Sequence, residues 1–167
     1  LDIFVGKDRV GVLGRSELHA RTYLFNYLPT TAEPQAISLT MPVLPDQYQF
    51  QQGVHPIFQM NLPEGELREM LRNSFQKTVQ NFDDLSLLAI VGHAQIGRVR
   101  IADIGEQPLE LPLHSVQDLQ TYAGSEDLFM NLLQRFGRYS GISGVQPKVL
   151  VRDNATVAAA MQDLEQI

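Results

Sequence analysis

Twelve residues from Gly137 to Lys148, Gly-Arg-Tyr-Ser-Gly-Ile-Ser-Gly-Val-Gln-Pro-Lys, hold three glycines, two serines and two bases. Glycines let backbone N–H groups approach a phosphate closely, serine hydroxyls add donors, and Lys148 neutralises charge. The segment is not a Walker A loop, because Val149 follows Lys148 and the glycine spacing differs; nor is it GxGxxG. On residue types alone, a phosphate cradle and an ordinary Gly/Ser loop both stay open. The local charge adds weight. Thr78–Gln134 carries eight acids and two bases, whereas Arg135–Arg152 carries four bases and no acid.

Other chemistry-bearing residues read more plainly. Glu64, Glu66 and Glu69 sit at the start of a helical pattern, where carboxylates suit the positive end of the helix dipole better than they suit hydrolysis. His19, His55, His93 and His114 show no HxxxH or HxH spacing, so we expect no metal site. No Ser/His/Asp arrangement follows from spacing. We therefore name no catalytic residue in this chain.

The elements that would position these groups fall into two styles. Leu1–Val5 and Val10–Leu13 read as a hairpin across Gly6-Lys7-Asp8, and Tyr23–Tyr27 as a third strand. Ile37–Met41 reads as a fourth, and Asp46–Gly53 as loop. The period then changes. Leu67, Met70, Leu71 and Phe75 mark a helix over Pro63–Lys77, with Pro63 at its first position and Glu64 and Arg68 as an i,i+4 pair. Asp83–Val91 is apolar almost all round and predicts a buried helix, capped by Asp83 and ending at Gly92. Arg98–Ala102 reads as a strand whose two arginines face solvent.

Gly105–Leu113, with Pro108, Pro112 and several acids, reads as a linker. Beyond it, Val116–Tyr122 is a weak helix and Glu126–Phe136 a clear one: Leu128, Phe129, Leu132, Leu133 and Phe136 share a face, and Ser125 caps it. The Gly-rich turn leads into a strand at Lys148–Val151 and a helical pattern at 154–167.

Composition bounds the class. The chain has 167 residues, 44% hydrophobic and 19% charged, which is globular usage. A net charge of −6 argues against holding nucleic acid across the whole surface. With no Cys, a disulfide scaffold, thiol catalysis and Cys-ligated metal are excluded. No apolar run approaches the ~20 residues of a membrane span, and Leu1–Val5 lacks the basic leader of a signal peptide. Together these lead us to expect a cytoplasmic protein with no membrane partner.

Two motifs in order carry a family resemblance. Gly141-Ile142-Ser143-Gly144-Val145-Gln146-Pro147-Lys148-Val149-Leu150-Val151 resembles the Gly-rich segment of HipA-type serine/threonine kinases, the toxins of HipA/HipB-like toxin–antitoxin systems. Asn61-Leu62-Pro63-Glu64-Gly65-Glu66-Leu67-Arg68 resembles the "NLLPEGxLR" signature of that family's N-terminal subdomain, and Val10–Leu13 and Ser38–Pro42 resemble further parts of it.

The resemblance implies an α+β chain: a small, mostly antiparallel β subdomain with helices over 1–104, a linker over 105–113, and the beginning of a protein-kinase-like N-lobe over 114–167. It implies that Gly141, Ser143, Gly144, Val145, Gln146 and Lys148 lie over ATP phosphates, with Mg²⁺ bound by the complete enzyme. A regulatory serine of the family's loop falls at Gly141 here, so Ser143 is the expected autophosphorylation site. Implied partners are a HipB-like DNA-binding antitoxin, the remaining kinase domain in cis or in trans, and a protein substrate of the translation apparatus, such as an aminoacyl-tRNA synthetase. DNA is met only through the antitoxin. Neither the catalytic Asp with its Asn nor the metal-binding Asp of the family is recognisable in these residues, so we expect the chain alone to be inactive and to bind no cofactor tightly. The expected role is the N-terminal portion of such a kinase. The alternative is a free-standing small subunit that inhibits a separate HipA-like kinase, the antitoxin of a split system.

Overall fold

The computed structural model describes residues 1–19, 21–75, 81–109, 113–114 and 152–153. Its centre is a five-stranded antiparallel sheet in the spatial order Tyr48–Gln51, Thr22–Tyr27, Asp8–Arg15, Asp2–Val5 and Val99–Ala102, numbered β1 to β5 in chain order below. Strands β1 (Asp2–Val5) and β2 (Asp8–Arg15) form the expected hairpin, with Val5 opposite Asp8. The register shifts between Ile3 and Phe4, which leaves Val10 as a bulge. The Val10 carbonyl instead accepts from Leu28 N at 2.8 Å and Thr31 Oγ1 at 2.7 Å. The bulge thus ties down the chain leaving β3 (Thr22–Tyr27).

Two expectations fail in the middle of the chain. Ile37–Met41 is not a strand; only Ser38 and Met41 bridge, closing a tight turn. Pro34 and Pro42 bracket it and Pro supplies no N–H for a ladder, so a side chain takes over: Tyr27 Oη accepts from Ile37 N at 3.0 Å and donates to the Met41 carbonyl at 2.5 Å. Asp46–Gly53 is not all loop. Its Tyr48–Gln51 is the edge strand β4, with Tyr48 and Phe50 half-buried and Gln49 and Gln51 exposed. This is period-two alternation, hidden by the glutamines.

A single turn of helix, α1 (Pro56–Gln59), begins the helical layer and was not evident in the sequence; His55 Nδ1 accepts from Ile57 N at 3.2 Å. Helix α2 (Gly65–Phe75) starts two residues later than Pro63 predicts, because Gly65 takes φ +55°. Helix α3 (Asp84–Val91) follows, with Asp83 as its N-cap as expected. Strand β5 (Val99–Ala102) then pairs with β1.

Leu67, Leu71, Leu87, Leu88 and Val91 from the helices join Ile3, Leu13, Phe25 and Ile101 from the sheet in one core, with Phe25 and Phe58 rings 5.7 Å apart. Gly92 lets α3 lie against β5: a Cβ there would sit 2.6 Å from Ile101 Cβ. Its φ of −64° is ordinary, so close approach rather than backbone freedom selects glycine.

Leu113–His114 (β6) and Arg152–Asp153 (β7) pair in parallel. The helices expected at 116–122, 126–136 and 154–167, the strand at 148–151 and the Gly-rich segment lie outside the described residues.

Candidate functional site

Each residue expected to hold phosphate, Gly141, Ser143, Gly144, Val145, Gln146 and Lys148, lies outside the described residues. The second motif, Asn61–Arg68, is described throughout. Leu62 and Leu67 are core residues, and Asn61 Nδ2 donates to the Ile96 carbonyl at 3.0 Å. Arg68 does not form the expected pair with Glu64. It reaches Asp84 at 2.6 Å, because the fold puts that carboxylate at the start of α3 while Glu64 stays exposed. Most of the motif thus joins α2 to α3 and to the chain entering β5.

Arg68 also borders a polar cleft. This cavity of about 610 Å³ is lined from β2, β3, the β4–α1 connection, α2 and the start of α3. Asp83 is its hub. Arg15 meets the carboxylate with two donors, Nε to Oδ2 at 3.0 Å and Nη2 to Oδ1 at 2.6 Å. Tyr23 Oη donates to Oδ2 at 2.7 Å, and Ser86 donates both N and Oγ to Oδ1 at 3.0 Å. Beside it, Asp84 accepts from Arg68 and from Gln59 Nε2 at 3.2 Å. The adjacent acids therefore tie helix α3 to the sheet on one side and to α1 and α2 on the other.

The electrostatics decide what this cluster can do. Burial pushes the Asp83 carboxyl up, but Arg15, Tyr23 and the Ser86 N–H outweigh it and hold it at about 2. Burial, then the Asp83 carboxylate, push the Tyr23 phenol up to about 12. A general acid or base works best with a pKa near the working pH. Asp83 stays ionised and Tyr23 stays protonated across the neutral range, so neither exchanges a proton there. With Arg15 and Arg68 on the carboxylates, the pair does not fit a Mg²⁺ site either. The cluster holds charge in place; it does not perform acid–base chemistry.

Sequence reasoning found Asp83 only as a cap. Its links to Arg15 and Tyr23 span 68 and 60 residues, and no local spacing announces them. The doubled acid Asp83-Asp84 ahead of an apolar helix was the available signal.

A second groove, of about 500 Å³, lies beside the Ser38–Met41 turn. As expected, Arg98 is exposed; its guanidinium donates to the carbonyls of Pro34 and Ala36 and so holds that loop. No helix among the described residues is long and apolar enough to cross a membrane.

Comparison with known proteins fits this architecture. The profile of the family described as HipA N-terminal domain matches residues 1–102, which end at the last residue of β5. None of the curated proteins is similar enough to match the chain.

Proposed function

The chain belongs to the HipA N-terminal domain family, and from that premise we propose that it is the N-terminal portion of a HipA-like serine/threonine protein kinase toxin. The observation that carries the proposal is an order of parts. The family-matched residues 1–102 are followed in the same chain by the Gly-rich, basic segment at 137–148. In this reading the family domain is a scaffold, and the segment after it is the phosphate loop. Backbone N–H groups around Gly141 and Gly144, the Ser143 hydroxyl and Lys148 are the donor types that hold phosphate oxygens. ATP with Mg²⁺ supplies the phosphoryl group when the complete enzyme binds it.

On the same reading the partners are a HipB-like antitoxin, the rest of the kinase, and a protein of the translation apparatus as substrate. Catalysis belongs to residues beyond those recognisable here, because kinase chemistry needs a catalytic-loop Asp and metal-binding residues.

The test is phosphotransfer. The product of the complete reading frame, incubated with labelled ATP and Mg²⁺, is expected to label itself or an acceptor, while the 167-residue chain alone labels neither. Gly144→Val in the complete kinase is expected to abolish labelling, since a side chain there blocks close backbone approach. Labelling by the pure chain, or full activity of soluble Gly144→Val, would overturn the proposal. A complete product that lacks kinase activity and inhibits a separate kinase would establish the split-system antitoxin instead.

A further inference from the structure

The polar cleft has a feature that its role as a junction does not use. Arg21, Gln52 and Asn81 are the only non-glycine residues with positive φ among the described residues, at +61°, +66° and +62°, and all three line this cleft. They belong to three different connections, and Gln52 N donates to the Arg21 carbonyl at 2.9 Å. For Arg21 and Gln52 this backbone region costs roughly 1–2 kcal/mol each, whereas asparagine tolerates it. Strain of this kind persists where surrounding structure enforces it and gathers at ligand-binding places.

Charge says what kind of ligand suits the cleft. Three guanidiniums, of Arg15, Arg21 and Arg68, line it against two carboxylates, so one positive charge is in excess. Among the described residues, Arg15 engages its partners through Nε and Nη2, leaving Nη1 open, and Arg68 uses only Nη2. Arg21 is exposed, and its guanidinium has no ion pair or hydrogen bond among the described residues. A carboxylate ligand would offer the same single charge that Asp83 and Asp84 already supply. A phosphate monoester brings about −1.5 to −2 and three strong acceptor oxygens, enough to take donors from several arginines at once. The cavity, about 610 Å³, is of a size that holds a ligand much larger than one phosphate group. A long polyanion suits it less, given the net charge of −6.

We propose that this cleft binds a phosphorylated serine or threonine on a peptide, with Arg21 as the principal anchor and the open N–H groups of Arg15 and Arg68 beside it. The inference stands apart from the kinase reading: it needs only the geometry of the cleft.

The test is calorimetric titration of the 167-residue chain at low salt with a short phosphoserine peptide. Comparison probes are the same peptide with glutamate in place of phosphoserine, inorganic phosphate, and a short single-stranded oligonucleotide. The phosphopeptide is expected to saturate, and the glutamate peptide and inorganic phosphate to bind at least about tenfold more weakly, since each lacks part of what the cleft offers. Arg21→Asn is the clean variant, because asparagine tolerates the left-handed region. It is expected to weaken phosphopeptide binding about tenfold or more, in line with loss of a charge-assisted contact, with the melting temperature unchanged. Failure of the phosphopeptide to saturate, or equal binding by the Arg21→Asn variant, would overturn the proposal. So would equal affinity for the glutamate peptide or for free phosphate, or tighter binding of the oligonucleotide.

Discussion

Two places in this domain hold the same sheet to its surroundings by different means. At Asp83 a charged hub joins β2, β3 and α3 through Arg15, Tyr23 and Ser86. At Tyr27, on the same strand as Tyr23, a neutral phenol grips both ends of the Ser38–Met41 turn, accepting from Ile37 N and donating to the Met41 carbonyl. Tyr27 and Met41 are buried, whereas Arg15 and Asp83 keep side-chain exposures of 46% and 27%. One strand thus carries two tyrosines with opposite duties. The charged junction answers to pH and opens onto the polar cleft. The neutral clamp carries no charge from pH 2 to 7, since burial pushes the Tyr27 phenol above its ordinary range, and it shapes a loop.

The comparison breaks most visibly at its hub. Asp83→Ala removes the N-cap of α3 and strips Arg15, Tyr23 Oη and Ser86 N of their shared acceptor. Loss of a cap costs about 1 kcal/mol, and the lost charge-assisted bonds add about 2 more. Urea denaturation is expected to show a loss of about 3 kcal/mol.

The pH dependence separates the two places. The folded Asp83 pKa of about 2 lies below its ordinary 3.8. Its contribution is therefore complete above the unfolded value and disappears as pH falls through the folded one. The shift corresponds to about 2 kcal/mol at 1.36 kcal/mol per unit. Tyr23 runs the other way: with a folded value of about 12 against 10.0, its contribution is complete below pH 10 and lost as pH rises toward 12. In Asp83→Asn the acid loss between pH 4 and 2 is expected to flatten. Spectrophotometric titration of that variant should also bring the Tyr23 phenol back toward its ordinary range.

Tyr27→Phe is the matched perturbation of the neutral clamp. It leaves Ile37 N and the Met41 carbonyl without their partner, beneath a buried ring that still fits. An expected loss of about 1–2 kcal/mol follows from unsatisfied buried groups. Its stability–pH curve should run parallel to that of the wild type from pH 2 to 7; a change of slope would show the clamp to be coupled to the charged hub.

The smallest effect tests which acid Arg68 serves. Glu64→Gln is expected to change stability by less than about 0.5 kcal/mol, as for an exposed position with no ion pair among the described residues. Asp84→Asn, which loosens the Arg68 and Gln59 contacts, should cost more by thermal melting. The reverse ranking would return Arg68 to the pair that helix spacing predicts.

Much of the scaffold was legible residue by residue. The hairpin, β3, α2, α3 with its Asp83 cap, and β5 all follow from patterns a few residues long: alternation, helical spacing, a capping side chain. The misses have a common cause. Tyr48–Gln51 is a strand because β3 offers it a ladder, and its glutamines conceal the alternation. Ile37–Met41 has strand-like residues but no partner strand, and a phenol ten residues back in sequence closes it into a turn instead. Pairing with something distant decided both.

By itself, then, the sequence determined the α+β class, the family of residues 1–102 and the position of the Gly-rich, basic segment after them. Each is written in local order and residue type. The tertiary structure alone decided that Arg15 and Asp83, 68 residues apart, share a charge, that Arg68 chooses Asp84 over its near neighbour Glu64, and that Arg21 is left over in a cleft. The physical reason is that ion pairing falls off within a few ångströms of contact and depends on burial. Chain separation says nothing about either quantity until the sheet and helices have set the distances.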